Sequence, residues 1–258
     1  MQTVSVAIIA QDEEEVLPMT LECLAGIPDV IKEVVIVDGG SKDGTRGVIE
    51  MFEDRLPITA LNRKFDTFRD QKNFALDNCK GQWVLGLDAD MAFNSLKFRE
   101  LLLAGWFDKT PVWDFRLVFC KGDLNHYCTR STTSMPTTRF WKNVGLRYER
   151  EVHEYLVFPN ETGWDSIHCA GKIAYCSEAC IFETHMLKSE AALRNRVVRY
   201  QVWAESTKAA GLTVPTMAES VDALIGRRWE GVAAIEQPIL DKVPSAAFEY
   251  AAAQGRLT

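Results

Sequence analysis

Two carboxylates, Asp88 and Asp90, follow the apolar run Val84-Leu85-Gly86-Leu87 with a single residue between them. At a strand end each would raise the other's proton affinity and lose hydration. A divalent cation removes that cost. Carboxylate oxygens suit Mg²⁺ or Mn²⁺, ions that complete their shells with water and a substrate's phosphates. The plainer reading is a turn in which Asp88 caps the next segment and Asp90 is solvated. Two further acidic groups stand in similar places: Gln11-Asp12-Glu13-Glu14 after Val4 to Ala10, and Asp38 after Val34 to Val37, with Gly39-Gly40 making the turn. Solvated loops alone explain three such clusters poorly.

The elements that must position them alternate between branched apolar runs and stretches of helical period, the pattern of parallel strands joined by crossover helices in an α/β fold. Strands are expected at Val4 to Ala10, Val34 to Val37, Ile58 to Leu61 and Trp83 to Leu87. Helices are expected over Glu14 to Ala25, from a Ser41 cap through Ile49 to Phe52, over Phe68 to Cys79, and over Ser95 to Leu103. In open sheets of this kind ligands collect beyond the carboxyl ends of the strands, where all three acidic clusters fall.

Beyond residue 103 the character changes. Trp113 to Cys120, Thr137 to Trp141 and Ala179 to Glu183 read as strands separated by turn-rich, aromatic sequence, which suggests mixed or antiparallel pairing. Helical sequence returns over Ala191 to Ala204, Val221 to Ile235 and Ser245 to Ala253. Trp106, Trp113, Tyr127, Trp141, Tyr148 and Tyr155 offer faces for sugar stacking, although core packing accounts for most such residues.

The 258 residues carry 29 Lys and Arg against 36 Asp and Glu, a net charge of −7, so nucleic acid is a disfavoured partner: it would need a basic patch working against the overall field. No apolar run approaches the roughly 18 residues that a bilayer crossing needs, and no basic run leads an apolar block at the amino terminus. The expectation is a soluble, cytoplasmic protein. Seven dispersed cysteines fit a reduced compartment. Cys169, Cys176 and Cys180 with His168 and His185 raise a zinc reading, but without Cys-x-x-Cys pairs small buried thiols are favoured.

Four blocks occur in order: Val4 to Ala10 with Gln11-Asp12-Glu13-Glu14; Val35-Ile36-Val37-Asp38-Gly39-Gly40-Ser41-Lys42-Asp43-Gly44-Thr45; Asp70-Gln71-Lys72-Asn73-Phe74-Ala75-Leu76; and Gly81-Gln82-Trp83 through Asp88-Ala89-Asp90. Together they resemble glycosyltransferase family 2, of the GT-A fold. More thinly, Arg139-Phe140-Trp141-Lys142-Asn143, Tyr148, Val152-His153-Glu154 and Thr184-His185-Met186 are similar to a bacterial branch that includes lipopolysaccharide-core glucosyltransferases.

The resemblance implies a Rossmann-like nucleotide-sugar-binding half over 1–95, an acceptor half of the same domain with mixed strands over 96–186, and a helical extension over 187–258. It implies transfer of a sugar with inversion from a nucleotide diphosphate sugar, a UDP-sugar by preference, to an acceptor hydroxyl, by default of a saccharide; protein and modified-base acceptors stay open. Ala10, Gln11 and Glu13 would line base and ribose, with Asp38 on the base beside the Gly40 turn. Asp88, with Ala89 beside it, would meet the ribose or a metal-bound water. Asp90 would ligate Mn²⁺ or Mg²⁺, and His185 would complete the shell. Lys72 stands where the family has Arg, without that residue's fork; Arg69 is the substitute for its diphosphate contact. Inversion by one displacement needs one base. Glu154 is the candidate, with Asp114 and Asp123 as competitors, and the plainer reading makes Glu154 a surface partner of Arg147 or Arg150. The carboxyl-terminal helices would cover the acceptor cleft, pair two subunits or rest on a membrane surface; their modest basic content weighs against the last.

Rivals differ at named positions. A phosphatase of the haloacid dehalogenase type usually has Thr or Val two residues after the second Asp, where Met91-Ala92 follow here. No Gly-x-Gly-x-x-Gly or Walker loop follows the first strand, against a dinucleotide oxidoreductase. A catalytically inactive nucleotide- or glycan-binding module on the same fold would be favoured if Asp88, Asp90 and Glu154 lay far apart.

Overall fold

The computed structural model describes residues 2–121, 123–128, 136–151, 154–163, 165–168, 171–198, 232–235 and 237–253. Its heart is a parallel sheet. Strand β1 (Val4–Ala10) lies between β2 (Ile31–Asp38) and β4 (Trp83–Asp88), with β3 (Ile58–Asn62) beyond β2. Val4, Val6, Ile8, Val34 and Leu85 are fully buried, the burial of strands covered on both faces, which is why these segments read as near-continuous apolar runs.

Three crossover helices follow the first three strands: α1 (Leu17–Ala25), α2 (Thr45–Met51) and α3 (Phe68–Asp77). The loops before the first two are longer than the sequence suggests. Glu14 lies outside α1 because its amide and carboxylate are used by Asp43 (3.1 Å) and the Gly44 amide (2.6 Å), and Pro18 then sits in the helix's first turn. Ser41 does not cap α2: its hydroxyl donates to Asp38, while Asp43 accepts the Thr45 amide at 3.0 Å. Helix α3 does have a side-chain cap, the Asp70 amide donating to Thr67 Oγ1 at 3.1 Å.

After the short β5 (Met91–Phe93) and helix α4 (Ser95–Leu103) the sheet continues with mixed pairing. Strand β8 (Pro136–Lys142) runs antiparallel to β4 and to β6 (Val112–Lys121). Strand β11 (Ile173–Glu183) is parallel to β6 and antiparallel to β5, so its end at Glu183 pairs with Met91 beside the acidic turn. A separate pair, β9 (Arg147–Glu149) with β10 (Tyr155–Val157), flanks α3. Phe140 fixes β8: its ring stacks on Trp83 at 4.7 Å and meets Phe107 and Phe98 edge-on at 4.9 and 5.0 Å. Strand alternation then sends its neighbour Arg139 to the opposite face.

At the carboxyl end residues 190–198 are helical, covering the first part of the expected Ala191 to Ala204 helix; 199–231, with the rest of that helix and most of the next, lie outside the described residues. Residues 232–234 differ from the expected helix. Val232–Ala234 is strand β12, antiparallel to β7 (Asp123–Cys128), because an open edge offers pairing that outweighs a weak helical preference. Helix Ser245–Ala253 forms as expected and packs on α1. Among the described residues no helix is long and apolar enough to cross a membrane.

Candidate active site

The ends of β1 and β2 are stitched into one surface. Gly39 donates its amide to the Ala10 carbonyl (2.8 Å), Gln11 reaches the Gly39 carbonyl (3.4 Å), and Asp12 and Glu13 take their amide partners from Ser41 (3.0 Å) and Thr45 (2.7 Å). Gly40 has φ of +99°, a conformation that suits glycine. Asp38 holds this turn. One oxygen accepts the Gly40 and Ser41 amides and the Ser41 hydroxyl (3.0, 2.8 and 2.7 Å), and the other takes Arg46 at 2.7 Å. Burial works against its charge, but these donors outweigh it and hold the carboxyl below the ordinary range.

Beyond β4, the turn Asp88-Ala89-Asp90 is pinned by its backbone. The Ala89 carbonyl accepts the buried Thr20 hydroxyl at 2.9 Å, and the Asp90 carbonyl accepts both the amide and the hydroxyl of Thr184 at 2.7 and 2.8 Å. The two carboxylates thereby face different partners.

Asp88 looks toward α3 and β8. Lys72 Nζ lies 2.9 Å from its Oδ1 and Arg139 Nη1 3.2 Å from its Oδ2. Lys72 also contacts Glu154 Oε1 and lies 5.4 Å from the centre of the Tyr148 ring. Desolvation opposes charge on Asp88, yet the two cations hold its carboxyl far below the usual range; the same pairing, with Glu154, holds Lys72 above the usual lysine range. Burial pushes the Tyr148 phenol up to about 12. Lys72, Asp88, Arg139 and Tyr148 line one small cavity floored by Gly86.

Asp90, buried, looks toward β11 and the segment after it. Ligand atoms of Asp90, Glu183 and His185 lie within 4.8 Å of one another, with His185 Nδ1 2.6 Å from Glu183 Oε1. Arg196 Nη1 lies 2.9 Å from Asp90 Oδ2. Desolvation again opposes charge on Asp90, and Arg196, Lys188 and His185 outweigh it, holding the carboxyl low. Beside them Lys188, only 1% exposed, pairs with Glu13 at 2.5 Å. Burial pushes the Glu13 carboxyl up to about 7 despite that partner. Two carboxylates and an imidazole form a donor set suited to Mn²⁺ or Mg²⁺.

With this geometry stands the sequence relationship: residues 5–163, more than half of the chain, match the family model for Glycosyl transferase family 2. This chain is a member of glycosyltransferase family 2. Among curated relatives it is 35% identical over 99 residues to the lipopolysaccharide core biosynthesis glycosyltransferase LpsC of Rhizobium meliloti, covering 38% of this chain and 35% of that one. It is 34% identical over 106 residues to a TPR repeat-containing protein of Synechococcus elongatus, covering 41% of this chain and 23% of that one. The matched stretch therefore spans about a quarter to a third of these relatives' length. Among solved structures, S. aureus TarS 1-349 in complex with UDP-GlcNAc superposes with a TM-score of 0.53 at 16% identity, over 76% of this chain and 66% of that one. A further structure of S. aureus TarS 1-349 gives 0.52, again at 16% identity, over 76% and 64%. Such a likeness shows the fold, the GT-A Rossmann-like α/β arrangement of the family.

Within this family member the residues expected to act together are only partly gathered. Asp90 and His185 bring ligand atoms together and Glu183 joins them, while Asp88 is engaged by Lys72 and Arg139. Glu154 is not a surface partner of Arg147 or Arg150. Arg147 pairs with Asp77 and Arg150 lies over Tyr155, while Glu154 is turned inward to Lys72. Arg69 pairs with its neighbour Asp70 at 2.7 Å, and Glu13 faces Lys188. Asp114 is taken by the Thr138 hydroxyl (2.6 Å), and Asp123 by His126 (2.7 Å). Cys176 and Cys180 are buried thiols in β11, and Cys169 lies outside the described residues. Glu183, Lys188 and Arg196 were not legible as site residues. Glu183 carried the one available signal, a carboxylate two places before a strand-end His.

Proposed function

We propose that this chain transfers a sugar, with inversion, from a UDP-sugar to an acceptor hydroxyl of a saccharide, using Mn²⁺ or Mg²⁺. The observation that carries the reading is the convergence, beyond β4, of a hard-ligand group (Asp90, Glu183, His185) with a separate carboxylate, Glu154, joined to Asp88 through Lys72. The UDP-GlcNAc bound by TarS supports the choice of nucleotide, and the lipopolysaccharide-core role of LpsC supports a saccharide acceptor.

Asp90, Glu183 and His185 would hold the cation, which when bound stabilises negative charge growing on the diphosphate as a Lewis acid. The chain's own groups do the rest. Glu154 takes the proton of the acceptor hydroxyl as it attacks the anomeric carbon. Lys72 holds one oxygen of that carboxylate and so orients the other. Arg139 and Lys72 keep Asp88 ionised at the site's floor. A binding-only module would not need Glu154 held, half-buried, one lysine away from Asp88.

The test is a thermal-shift panel of UDP-glucose, UDP-galactose, UDP-GlcNAc and GDP-mannose, with and without Mn²⁺. Stabilisation by one UDP-sugar that requires the metal supports the reading. Equal shifts with EDTA, or none from any donor, count against it.

A further inference from the structure

The segment leading out of β11 is fastened to the site at three points. Thr184 gives its amide and hydroxyl to the Asp90 carbonyl at 2.7 and 2.8 Å. Lys188, 1% exposed, pairs with Glu13. Ser189 gives its amide and hydroxyl to the two oxygens of Glu15 at 2.6 and 2.5 Å. The helical stretch 190–198 leaves from this anchor, and from its far end Arg196 lays Nη1 2.9 Å from Asp90 Oδ2. Its charge also acts on Glu13 and Glu183. Asp90 is therefore shared by two sets: a guanidinium on one side, and Glu183 with His185 on the other.

A dication at Asp90 would stand a few ångströms from that guanidinium. Like charges so close in a partly dry site repel strongly, and the Asp90 oxygen cannot serve both at full strength. We propose that Arg196 and the divalent cation compete for Asp90, so that Arg196 suppresses metal binding until a nucleoside diphosphate brings the negative charge that accommodates both. This rests on the reading of Asp90 as a metal ligand. It gives Arg196 a definite part: metal and nucleotide bind together. The arginine is 38% exposed on its side chain, so it has solvent to swing into and its truncation leaves no buried void.

The test is a Mn²⁺ titration followed by electron paramagnetic resonance, on wild type and Arg196→Ala, first without nucleotide and then with saturating UDP. Without nucleotide the variant is expected to bind Mn²⁺ at least about tenfold more tightly, and with UDP the gap is expected to shrink to less than about threefold. Arg196→Lys, which keeps the charge, is expected to stay near wild type. Arg196→Gln serves the same comparison should the alanine variant lose its thermal transition. Equal or weaker Mn²⁺ binding by the neutral variants without nucleotide overturns the proposal. Undiminished Mn²⁺ binding by Asp90→Asn is a different failure, that of the metal assignment itself.

Discussion

Lys72 Nζ lies 2.9 Å from Asp88 Oδ1 and meets Glu154 Oε1 on its other side, so one ammonium joins the carboxylate at the end of β4 to the proposed base. Lys72 side-chain exposure is only 11%, which leaves it little freedom to do anything else. Replacing it with Met is expected to lower turnover about a hundredfold through the loss of Glu154's orientation, with UDP affinity changed much less. In a Glu154→Gln background the same change is expected to add little, because the group it positions is already disabled. Steady-state kinetics and calorimetry on the two single variants and the double variant check this; independent, multiplying losses would give Lys72 a different task.

Asp38 accepts four donors while almost fully buried, and its proton affinity is held below that of an unfolded carboxylate. A depressed folded value contributes stability that is present above the unfolded value, about pH 4, and is lost as pH falls through the folded one. Asp38→Asn is therefore expected to cost about 1 to 3 kcal/mol at pH 7. The difference from wild type should shrink as the pH is taken below about 4. Thermal melts of both proteins across that range check it, and a constant difference would remove the ionised carboxylate from the explanation.

Gly86 lies in β4 where a Cβ would come within 2.7 Å of Trp141 Cη2 and 3.1 Å of the Tyr148 hydroxyl. Both rings are buried, and Tyr148 lies under Lys72. Gly86→Ala is expected to destabilise by about 1 to 3 kcal/mol. Urea titration should show a lower midpoint with an unchanged slope. An unchanged midpoint would show that the packing above the strand is looser than described.

What the sequence disclosed follows from how local each feature is. Val4–Ala10 and Ser95–Leu103 were read to the residue because burial on both faces and helical spacing are written in consecutive positions. Asp88 and Asp90 stood out by type and spacing. Their division of labour did not, because the cations that claim Asp88 come from α3 and from β8, the latter 51 residues away along the chain. Arg196 looked like an ordinary basic residue of an Ala-rich helix and Lys188 like one just before it, and only the anchoring of Thr184 and Ser189 brings them to Asp90. Val232–Ala234 misled for the same reason: its partner on β7 is more than a hundred residues away.

The most direct test of the account is calorimetric titration of UDP into wild type and Asp90→Asn, each with Mn²⁺ and with EDTA. Wild type is expected to bind UDP at least about tenfold more tightly with Mn²⁺ than with EDTA, and Asp90→Asn to lose that difference while keeping its fold by circular dichroism. Equal binding by wild type in metal and chelator, or a metal effect that survives in the variant, would contradict the claim that Asp90 anchors the cation on which the donor's diphosphate depends.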